Sequence, residues 1–341
     1  IYMAIDLGID FGTSSTQIYN ANEEKIIVDE PTVAVTRGES REVIAVGTEA
    51  LDMLGKTADS LSVLNPVKDG GITNFDVAVG LLKKFLDKNL NNVFSKIRAA
   101  VSVPSGIGDV EKRAIEEVVI SAGAKEVYLI ESPLAGAIGA GVDINEPKGY
   151  VIVDVGAGTT EVAVVSLGGV VVSKSVRSAG DALDNDIIQL IKKKYNVEIA
   201  KSTAEKAKIK LGAAMVGLTT DVVELKGKDM YSGVPKGVAI SANEINSAMR
   251  DDINFILEAV RCVLEETPPE LASDLIETGI VLTGGSSNMR GLGKLIKNAT
   301  GINVYQAEDP VCCVAKGAGT AMAGKGGFRN MLTQATRRKN Y

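Results

Sequence analysis

Short apolar runs rich in β-branched residues alternate along this chain with longer stretches of helical periodicity. The pattern predicts strands over residues 99–103, 127–130, 150–155, 161–165, 170–175 and 280–283. It predicts helices over residues 76–86, 110–122 and 184–195. Strands that alternate with helices in this way are typical of layered α/β folds, so we expect an α/β protein.

One strand-and-turn pattern occurs twice. Residues 9–16 read IDFGTSST and residues 153–160 read VDVGAGTT. Each is an apolar strand that ends in an aspartate and continues into a glycine turn rich in hydroxyl groups. A later strand-to-loop edge follows each copy in the same order, at residues 103–106 and 282–286. The repeat predicts two similar halves that close on one phosphate-bearing ligand.

Two stretches interrupt the repeat, at residues 32–65 in the first half and 181–248 in the second. The second stretch is rich in helical patterns and contains a predicted hairpin over residues 222–240. Residues 142–149, which include a proline, predict the crossing between the halves.

Composition excludes several classes of protein. The 341 residues are too many for one compact core, and 45% apolar with 23% charged residues is typical of a soluble globular protein. The chain has no histidine, which excludes serine–histidine hydrolases and histidine-ligated metal sites. The net charge of −6 argues against a nucleic-acid partner. No apolar run reaches the ~18 residues that span a bilayer, so we expect a cytoplasmic protein.

The two glycine turns are candidate phosphate sites. Gly12 permits a positive φ and the close approach of a phosphate oxygen, and the hydroxyl groups of residues 13–16 can donate hydrogen bonds. Asp10 and Asp154 precede the turns and would face each other if the halves oppose. Paired carboxylates beside phosphates suit Mg²⁺, which usually retains several waters.

Two further segments have more than one interpretation. Ser202 and Glu205 have the spacing of a helix capping box, which the spacing alone favours. Glu205 and Lys208 also share a helix face and could contact a sugar and a base edge together. The glycines in residues 283–289 either end a strand or let a flat nucleoside lie against the backbone, and the spacing does not separate these alternatives.

A larger set of short motifs resembles one protein family. In the first half the motifs are VPSG at 103–106, VEKRA at 110–114, AGA at 122–124, VYLIE at 127–131 and AIGAG at 137–141. In the second half they are TEVA at 160–163, SLGG at 166–169, SVR at 175–177, GD at 180–181, TAE at 203–205 with Lys208, and LTGG at 282–285. They resemble bacterial actins of the MreB family, within the actin–Hsp70–sugar-kinase ATPase superfamily, over residues 9–323.

The resemblance implies an actin-like α/β fold, in which two duplicated RNase H-like domains surround a nucleotide cleft and each carries a small outer subdomain. The implied divisions are subdomain IA at 1–31, 66–145 and 314–341, IB at 32–65, IIA at 146–180 and 249–313, and IIB at 181–248. The resemblance also implies ATP or ADP with Mg²⁺, and self-assembly into paired antiparallel protofilaments beneath the cell membrane. Other MreB paralogues are candidate partners.

The same resemblance implies roles for individual residues. The phosphates would be held by Gly12, Thr13, Ser14, Ser15, Gly156, Ala157 and Gly158. Further nucleotide contacts would come from Thr159, Gly180 and Asp181. Ribose and adenine contacts would come from Glu205 and Lys208, and the nucleoside would be flanked by Gly284, Gly285, Ser286, Ser287 and Met289. Asp10 and Asp154 would hold Mg²⁺ through water, with Asp154 also in the catalytic set.

The chain departs from the family pattern at Ser132. The family usually has Glu-Glu-Pro where this chain reads Glu131-Ser132-Pro133, and the second glutamate orients the attacking water. A serine is a weaker proton acceptor, and losing such a contribution typically costs about 10²–10⁴-fold, so we expect weak ATP hydrolysis. Glu161 remains as a candidate water-orienting carboxylate, and Ala157 replaces a glycine that the family usually has.

We therefore expect an ATP-binding bacterial actin that forms filaments for cell shape or movement, of the divergent kind found in wall-less helical bacteria. Val93 and Phe94 lie where the family carries an apolar membrane-inserting loop, and packing under the next strand is the equally weighted alternative. A small-metabolite kinase of the same superfamily is one alternative function, although we find no insertion to build a sugar pocket. A nucleotide-binding scaffold without turnover is the other.

Overall fold

Strands and helices alternate along the chain as the sequence predicts. The computed structural model describes residues 4–38, 42–56, 60–90 and 96–334. Its strands are β1 (Ile5–Phe11), β2 (Ser15–Asn20), β3 (Lys25–Pro31), β4 (Ala34–Arg37), β5 (Glu42–Val46), β6 (Leu61–Leu64), β7 (Val67–Lys68), β8 (Gly71–Ile72), β9 (Ile97–Val103), β10 (Glu126–Glu131), β11 (Tyr150–Val155), β12 (Thr160–Ser166), β13 (Gly169–Val176), β14 (Val197–Glu198), β15 (Val222–Asp229), β16 (Pro235–Ser241), β17 (Ile280–Thr283), β18 (Val304–Gln306) and β19 (Thr333–Gln334). Its α-helices are α1 (Gly47–Asp52), α2 (Phe75–Asn89), α3 (Asp109–Ser121), α4 (Ser132–Gly139), α5 (Gly180–Tyr195), α6 (Lys201–Leu211), α7 (Ala242–Ala248), α8 (Arg250–Glu266), α9 (Pro269–Thr278), α10 (Leu292–Thr300) and α11 (Cys313–Met322), and 3₁₀ helices span Gly285–Asn288 and Lys325–Met331. Each strand and helix predicted above falls on one of these elements.

Both halves contain a sheet of the same build, which agrees with the repeat in the sequence. In the first half, β1 pairs antiparallel with β2 and parallel with β9. In the second half, β11 pairs antiparallel with β12 and parallel with β17. The strand orders of the two sheets are β19-β10-β9-β1-β2-β3 and β13-β12-β11-β17-β18. The two glycine turns therefore lie at equivalent edges of equivalent sheets.

Helices α4 and α11 pack closely against each other and join the halves. Helix α11 also packs on β1 and β9, whereas α4 packs on β11 and β12. A Cβ atom at Gly317 would lie 1.8 Å from the carbonyl oxygen of Ala135, and one at Gly139 would lie 1.8 Å from that of Cys313. Only glycine lets the two helix backbones come this close. The surrounding apolar core takes side chains from β10, β11 and β12, so it belongs to both halves.

Two smaller sheets lie in the predicted interruptions. Strands β4, β5 and β6 form a sheet within residues 32–65, and β14, β15 and β16 form another within residues 181–248. Strands β15 and β16 are the hairpin that the sequence predicts. The subdomain boundaries themselves stay predictions.

Two observations concern the membrane. Val93 and Phe94, the predicted membrane contacts, lie outside the described residues. In the four described ranges, no helix combines the length and the apolar character needed to cross a bilayer.

Candidate functional site

A cavity of about 550 Å³ lies between the two glycine turns, where the halves meet. Volumes of several hundred Å³ are typical of small-molecule sites. The predicted residues that line it are Asp10, Gly12, Thr13, Ser14, Ser15, Asp154, Gly156, Ala157, Gly180, Asp181, Glu205, Lys208, Gly284, Gly285, Ser286 and Met289. The lining residues that the sequence analysis missed are Gln17, Asp184, Ile209, Lys210, Gly212, Asn288, Arg290, Val311 and Val314. Most of the predicted set is therefore gathered in one place.

The two turns close in the same way. The Gly12 amide donates to the carbonyl oxygen of Ser15 at 3.1 Å, and the Gly156 amide donates to that of Thr159 at 3.0 Å. Gly12 does not use the positive φ that glycine permits, since its φ lies outside the left-handed region. A Cβ atom at Gly12 would instead lie 2.8 Å from the Ser15 carbonyl oxygen. Close backbone approach therefore explains the glycine.

The turns also touch each other. A Cβ atom at Gly158 would lie 2.4 Å from Thr13 Oγ1 and 3.1 Å from the Cα atom of Asp69. Asn65 Nδ2 donates to the carbonyl oxygen of Thr13 at 2.6 Å and supports the same turn. Gly158 and Thr159 line a second pocket of about 80 Å³, which shares part of its lining with the larger cavity.

Asp10 and Asp154 line the cavity from opposite halves. Each accepts a hydrogen bond of 2.8 Å from the neighbouring parallel strand, Asp10 Oδ1 from Ser102 Oγ and Asp154 Oδ1 from Thr283 Oγ1. Burial raises the pKa of Asp10 to about 6. Burial, followed by the charge of Asp10, raises the pKa of Asp154 to about 7. Two buried carboxylates that repel each other favour a cation between them.

The two carboxylates fit Mg²⁺, which prefers oxygen ligands and keeps waters in its octahedron. Across the described part of the chain, no three acidic or cysteine side chains are grouped to hold a metal ion. A site of two aspartates leaves most coordination positions to water and to oxygens of a ligand. The donor set therefore suits a cation that arrives with a phosphate ligand.

Sequence analysis missed Ser102 and Thr283, although the two hydroxyls have equivalent places. Thr283 is the β17 partner of Asp154 in the parallel register. Ser102 follows the β9 partner of Ile9, so it stands beside Asp10 in the same way. The available signal was the repeated strand-to-loop edge, which marks the strand parallel to each aspartate-bearing strand.

Ser132 lies on the wall of the second pocket. It is the first residue of α4, and its Oγ donates to the carbonyl oxygen of Val103 at 3.1 Å. Glu131, which precedes it, accepts a hydrogen bond of 2.6 Å from Ser105 Oγ. The carboxylate of Glu131 is thus held by the loop after β9.

Glu161 also lines the second pocket, and both of its carboxylate oxygens already accept hydrogen bonds. Oε1 accepts from Ser175 Oγ at 2.6 Å, and Oε2 accepts from the Ser105 amide at 3.2 Å. Glu161 is only 2% exposed, and burial raises its pKa. Ser105 belongs to the other half, so Glu161 connects the halves in addition to lining the pocket. Sequence analysis missed both of these serines.

Lys208 holds the beginning of α5. Its Nζ donates to the carbonyl oxygen of Gly180 at 2.7 Å and lies 2.9 Å from Asp184 Oδ1. Burial raises the pKa of Asp184 to about 6, and the Lys208 ammonium opposes that shift. Lys208 therefore lines the cavity while its ammonium group binds two residues of α5.

The capping-box interpretation of Ser202 is wrong. Helix α6 begins at Lys201, and the extended Ala200 is its N-cap residue without a side-chain hydrogen bond. Ser202 therefore lies inside the helix, and Glu205 is free of the capping role. Glu205 instead lines the cavity.

The glycine segment after β17 lies against the end of β11. Gly284 has a φ of +83°, and a Cβ atom there would lie 2.4 Å from the Val155 carbonyl oxygen. Ser287 does not reach the cavity: it is 2% exposed, and its Oγ donates to the Gly284 carbonyl oxygen at 2.6 Å. Ser287 Oγ also accepts from Gln306 Nε2 at 2.7 Å. Of the predicted residues in this segment, Ser287 alone is turned inward.

Comparison with known proteins points to one family. A family model described as MreB/Mbl protein matches residues 4–327. The cell shape-determining protein MreB of Escherichia coli strain K12 is 44% identical over 323 residues, which is 93% of each chain. The cell shape-determining protein Mbl of Bacillus subtilis strain 168 is 39% identical over 320 residues, or 94% of this chain and 96% of the relative.

Solved structures share the fold. MreB5 of Spiroplasma citri bound to ADP matches with a TM-score of 0.89 and 31% identity, over 97% of this chain and 99% of that chain. MreB5 bound to AMPPNP matches with a TM-score of 0.86 and 32% identity, over 92% and 94%. The MamK double helical filament, 22% identical with a TM-score of 0.78 over 92% and 97%, has the same fold. The actin-like fold expected from the sequence is confirmed.

Proposed function

This chain belongs to the MreB/Mbl family, and on that premise we propose that it binds ATP with Mg²⁺ between its halves and assembles into cytoskeletal filaments. The observation that carries the proposal is the pair of glycine turns, which close alike and line one cavity from both sides. Strand–turn edges with exposed backbone amides suit phosphate oxygens. The AMPPNP and ADP in the MreB5 structures support the same ligand class.

Each part of the cavity suits one part of a nucleotide. The turns would hold the phosphates beside Asp10 and Asp154, where Mg²⁺, when bound, would neutralise phosphate charge. Glu205 would meet the ribose, and residues 284–289 other than Ser287 would flank the base. Lys208 would act on the nucleotide mainly by fixing α5 beside it.

We infer that hydrolysis by this chain is slow. Ser132 stands on the wall of the second pocket with its hydroxyl donating to the Val103 carbonyl oxygen. A neutral hydroxyl is a weaker proton acceptor than a carboxylate and draws a water less strongly. Phosphoryl transfer depends mainly on positioning and electrostatics, so this loss slows the reaction without abolishing it.

The cellular role that we propose is cell shape or movement, carried out by filaments beneath the cell membrane. The cell shape-determining names of the MreB and Mbl relatives support this role. Paired antiparallel protofilaments, and membrane contact through Val93 and Phe94, stay predictions from the sequence.

Sedimentation and electron microscopy in ATP, AMPPNP and ADP test the proposal. We expect the wild type to form filaments with ATP or AMPPNP, and Gly158→Ala to form none, because its Cβ atom would lie 2.4 Å from Thr13 Oγ1. Gly293→Ala in α10 is the matched control, because its Cβ atom would meet nothing closer than 3.4 Å. Absence of filaments in all three states, or ATP consumption that depends on a sugar, would overturn the proposal.

A further inference from the structure

We propose that Arg290 is a positioning residue that holds the base-side wall of the cavity in place. The inference rests on the proposed function, in which the cavity binds a nucleotide. Arg290 lines the cavity beside Met289 and lies on the segment that follows β17. Glu205, Lys208 and Ile209 of α6 also line the cavity. A base bound there would lie between these two segments.

Arg290 joins the two segments through its side chain and its backbone. Its Nη2 donates to the Lys210 carbonyl oxygen at 2.7 Å, and its Nε donates to the Gly212 carbonyl oxygen at 3.4 Å. Its own carbonyl oxygen accepts from the Ala214 amide at 2.8 Å. Residues 213 and 290 also form a parallel bridge. The end of α6 and the residues that follow it are therefore attached to the segment after β17 by side-chain and by backbone hydrogen bonds of Arg290.

The end of α6 is built to receive a cation. The last carbonyl groups of a helix lack partners within the helix and carry partial negative charge, so a guanidinium group there is attracted as well as hydrogen-bonded. Gly212 leaves the helix in an extended conformation, with φ −60° and ψ 136°. A Cβ atom at Gly212 would lie 2.4 Å from the Lys208 carbonyl oxygen, so only glycine permits this tight exit.

Loss of the guanidinium would affect one part of a nucleotide more than another. Helix α6 would lose its side-chain attachment to the segment after β17, and the gap that receives the base would be less well defined. The phosphate turns are closed by their own backbone hydrogen bonds, from Gly12 to Ser15 and from Gly156 to Thr159. We therefore expect Arg290 to act on the base-bearing part of the ligand and not on the phosphate chain.

Calorimetric titration with Mg·ATP and with Mg·tripolyphosphate, which has no base, tests this role. Arg290→Ala should weaken ATP binding by about tenfold, the size of one charge-assisted hydrogen bond, and leave tripolyphosphate binding unchanged. Arg290→Lys, which keeps a cation beside the α6 carbonyls, should recover part of the loss. Arg261→Ala removes an equally charged residue from an exposed ion pair with Glu258 on α8 and should match the wild type.

The possible outcomes separate this inference from the proposed function. If the wild type binds ATP and Arg290→Ala binds it with the same affinity, the role of Arg290 is overturned and the proposed function is not. Equal losses for ATP and tripolyphosphate would also overturn it, because they would indicate damage to the whole cleft. Failure of the wild-type protein to bind ATP would overturn the proposed function and this inference together.

Discussion

Thr283 Oγ1 donates a hydrogen bond of 2.8 Å to Asp154 Oδ1, and Ser102 Oγ does the same for Asp10 in the other half. In each half the donor comes from the strand parallel to the one that carries the aspartate. A hydroxyl that donates to a carboxylate favours its charged form, which burial disfavours. The duplication therefore extends beyond the turns to the residues that support the paired carboxylates.

Thr283→Val removes this donor and keeps the shape of the side chain. We expect Asp154 to hold its charge less well, because a buried carboxylate loses a partner. The Mg²⁺ concentration that supports half-maximal ATP binding should rise by about tenfold in titrations at fixed ATP. Thr300→Val is the control, since Thr300 Oγ1 donates to the Ile296 carbonyl oxygen within α10. An unchanged Mg²⁺ requirement in Thr283→Val would contradict the role given to Thr283.

The raised pKa of Asp154 predicts how stability depends on pH. Its pKa is about 7 in the folded protein, against an ordinary value of 3.8. Between these values the folded protein binds a proton that the unfolded chain does not. The free energy of unfolding should therefore rise as pH falls from about 8 to about 6, by at most about 1.4 kcal/mol per pH unit for one group.

Chemical denaturation without nucleotide or Mg²⁺ measures this dependence. Asp154→Asn cannot titrate, so its free energy of unfolding should rise less steeply as pH falls. The difference between the two slopes reports the titration of Asp154 together with its coupling to Asp10. Identical slopes in the wild type and the variant would show that Asp154 does not titrate in this range.

Local sequence patterns were enough to predict the two glycine turns, but not the hydroxyl groups that donate to the aspartates before them. An aspartate, a glycine and hydroxyls within eight residues form a pattern that one strand and one turn produce on their own. Ser102 and Thr283 reach the aspartates through the register of strands that are distant in sequence, and the pattern within one strand does not set that register. Ser287 differs from its prediction for a related reason, because the 3₁₀ helix Gly285–Asn288 turns its side chain away from the cavity toward Gln306.

Helix α6 begins at Lys201, and not after Ser202 as the local spacing predicts. The spacing of Ser202 and Glu205 favours a capping box in an isolated segment. In the protein, Lys201 pairs with Asp181 at 2.7 Å and Lys208 with Asp184 at 2.9 Å, so the first and the last turn of α6 are both attached to α5. Contacts with a neighbouring helix override weak local preferences. The family resemblance favoured a ligand contact for Glu205 over the capping role, and in the structure Glu205 lines the cavity. Its contact with a nucleotide stays a prediction.

Ser132→Glu should speed phosphate release by the chain. The new carboxylate would stand on the wall of the second pocket, where it can accept a proton from water. We expect a gain of at least about tenfold under saturating Mg·ATP, because a positioned general base typically contributes about 10²–10⁴-fold. Ser273→Glu adds the same charge to the exposed side of α9 and should have no effect. If both variants release phosphate at the wild-type rate, Ser132 does not limit turnover.

Glu161→Gln tests whether Glu161 only links the two halves or also acts as a catalytic base. The glutamine amide keeps an oxygen for the Ser105 amide and gains a donor for Ser175 Oγ, so both hydrogen bonds can persist. Glu161 is almost fully buried and both oxygens already have partners, so we expect phosphate release within about threefold of the wild type, far from the about 10²–10⁴-fold loss of a base.

The matching variant for this test is Glu161→Ala, which removes both hydrogen bonds. It leaves the Ser105 amide without its partner and should lower the free energy of unfolding by about 1–3 kcal/mol. A large loss of phosphate release in Glu161→Gln, with the free energy of unfolding unchanged, would instead identify Glu161 as the group that orients the water.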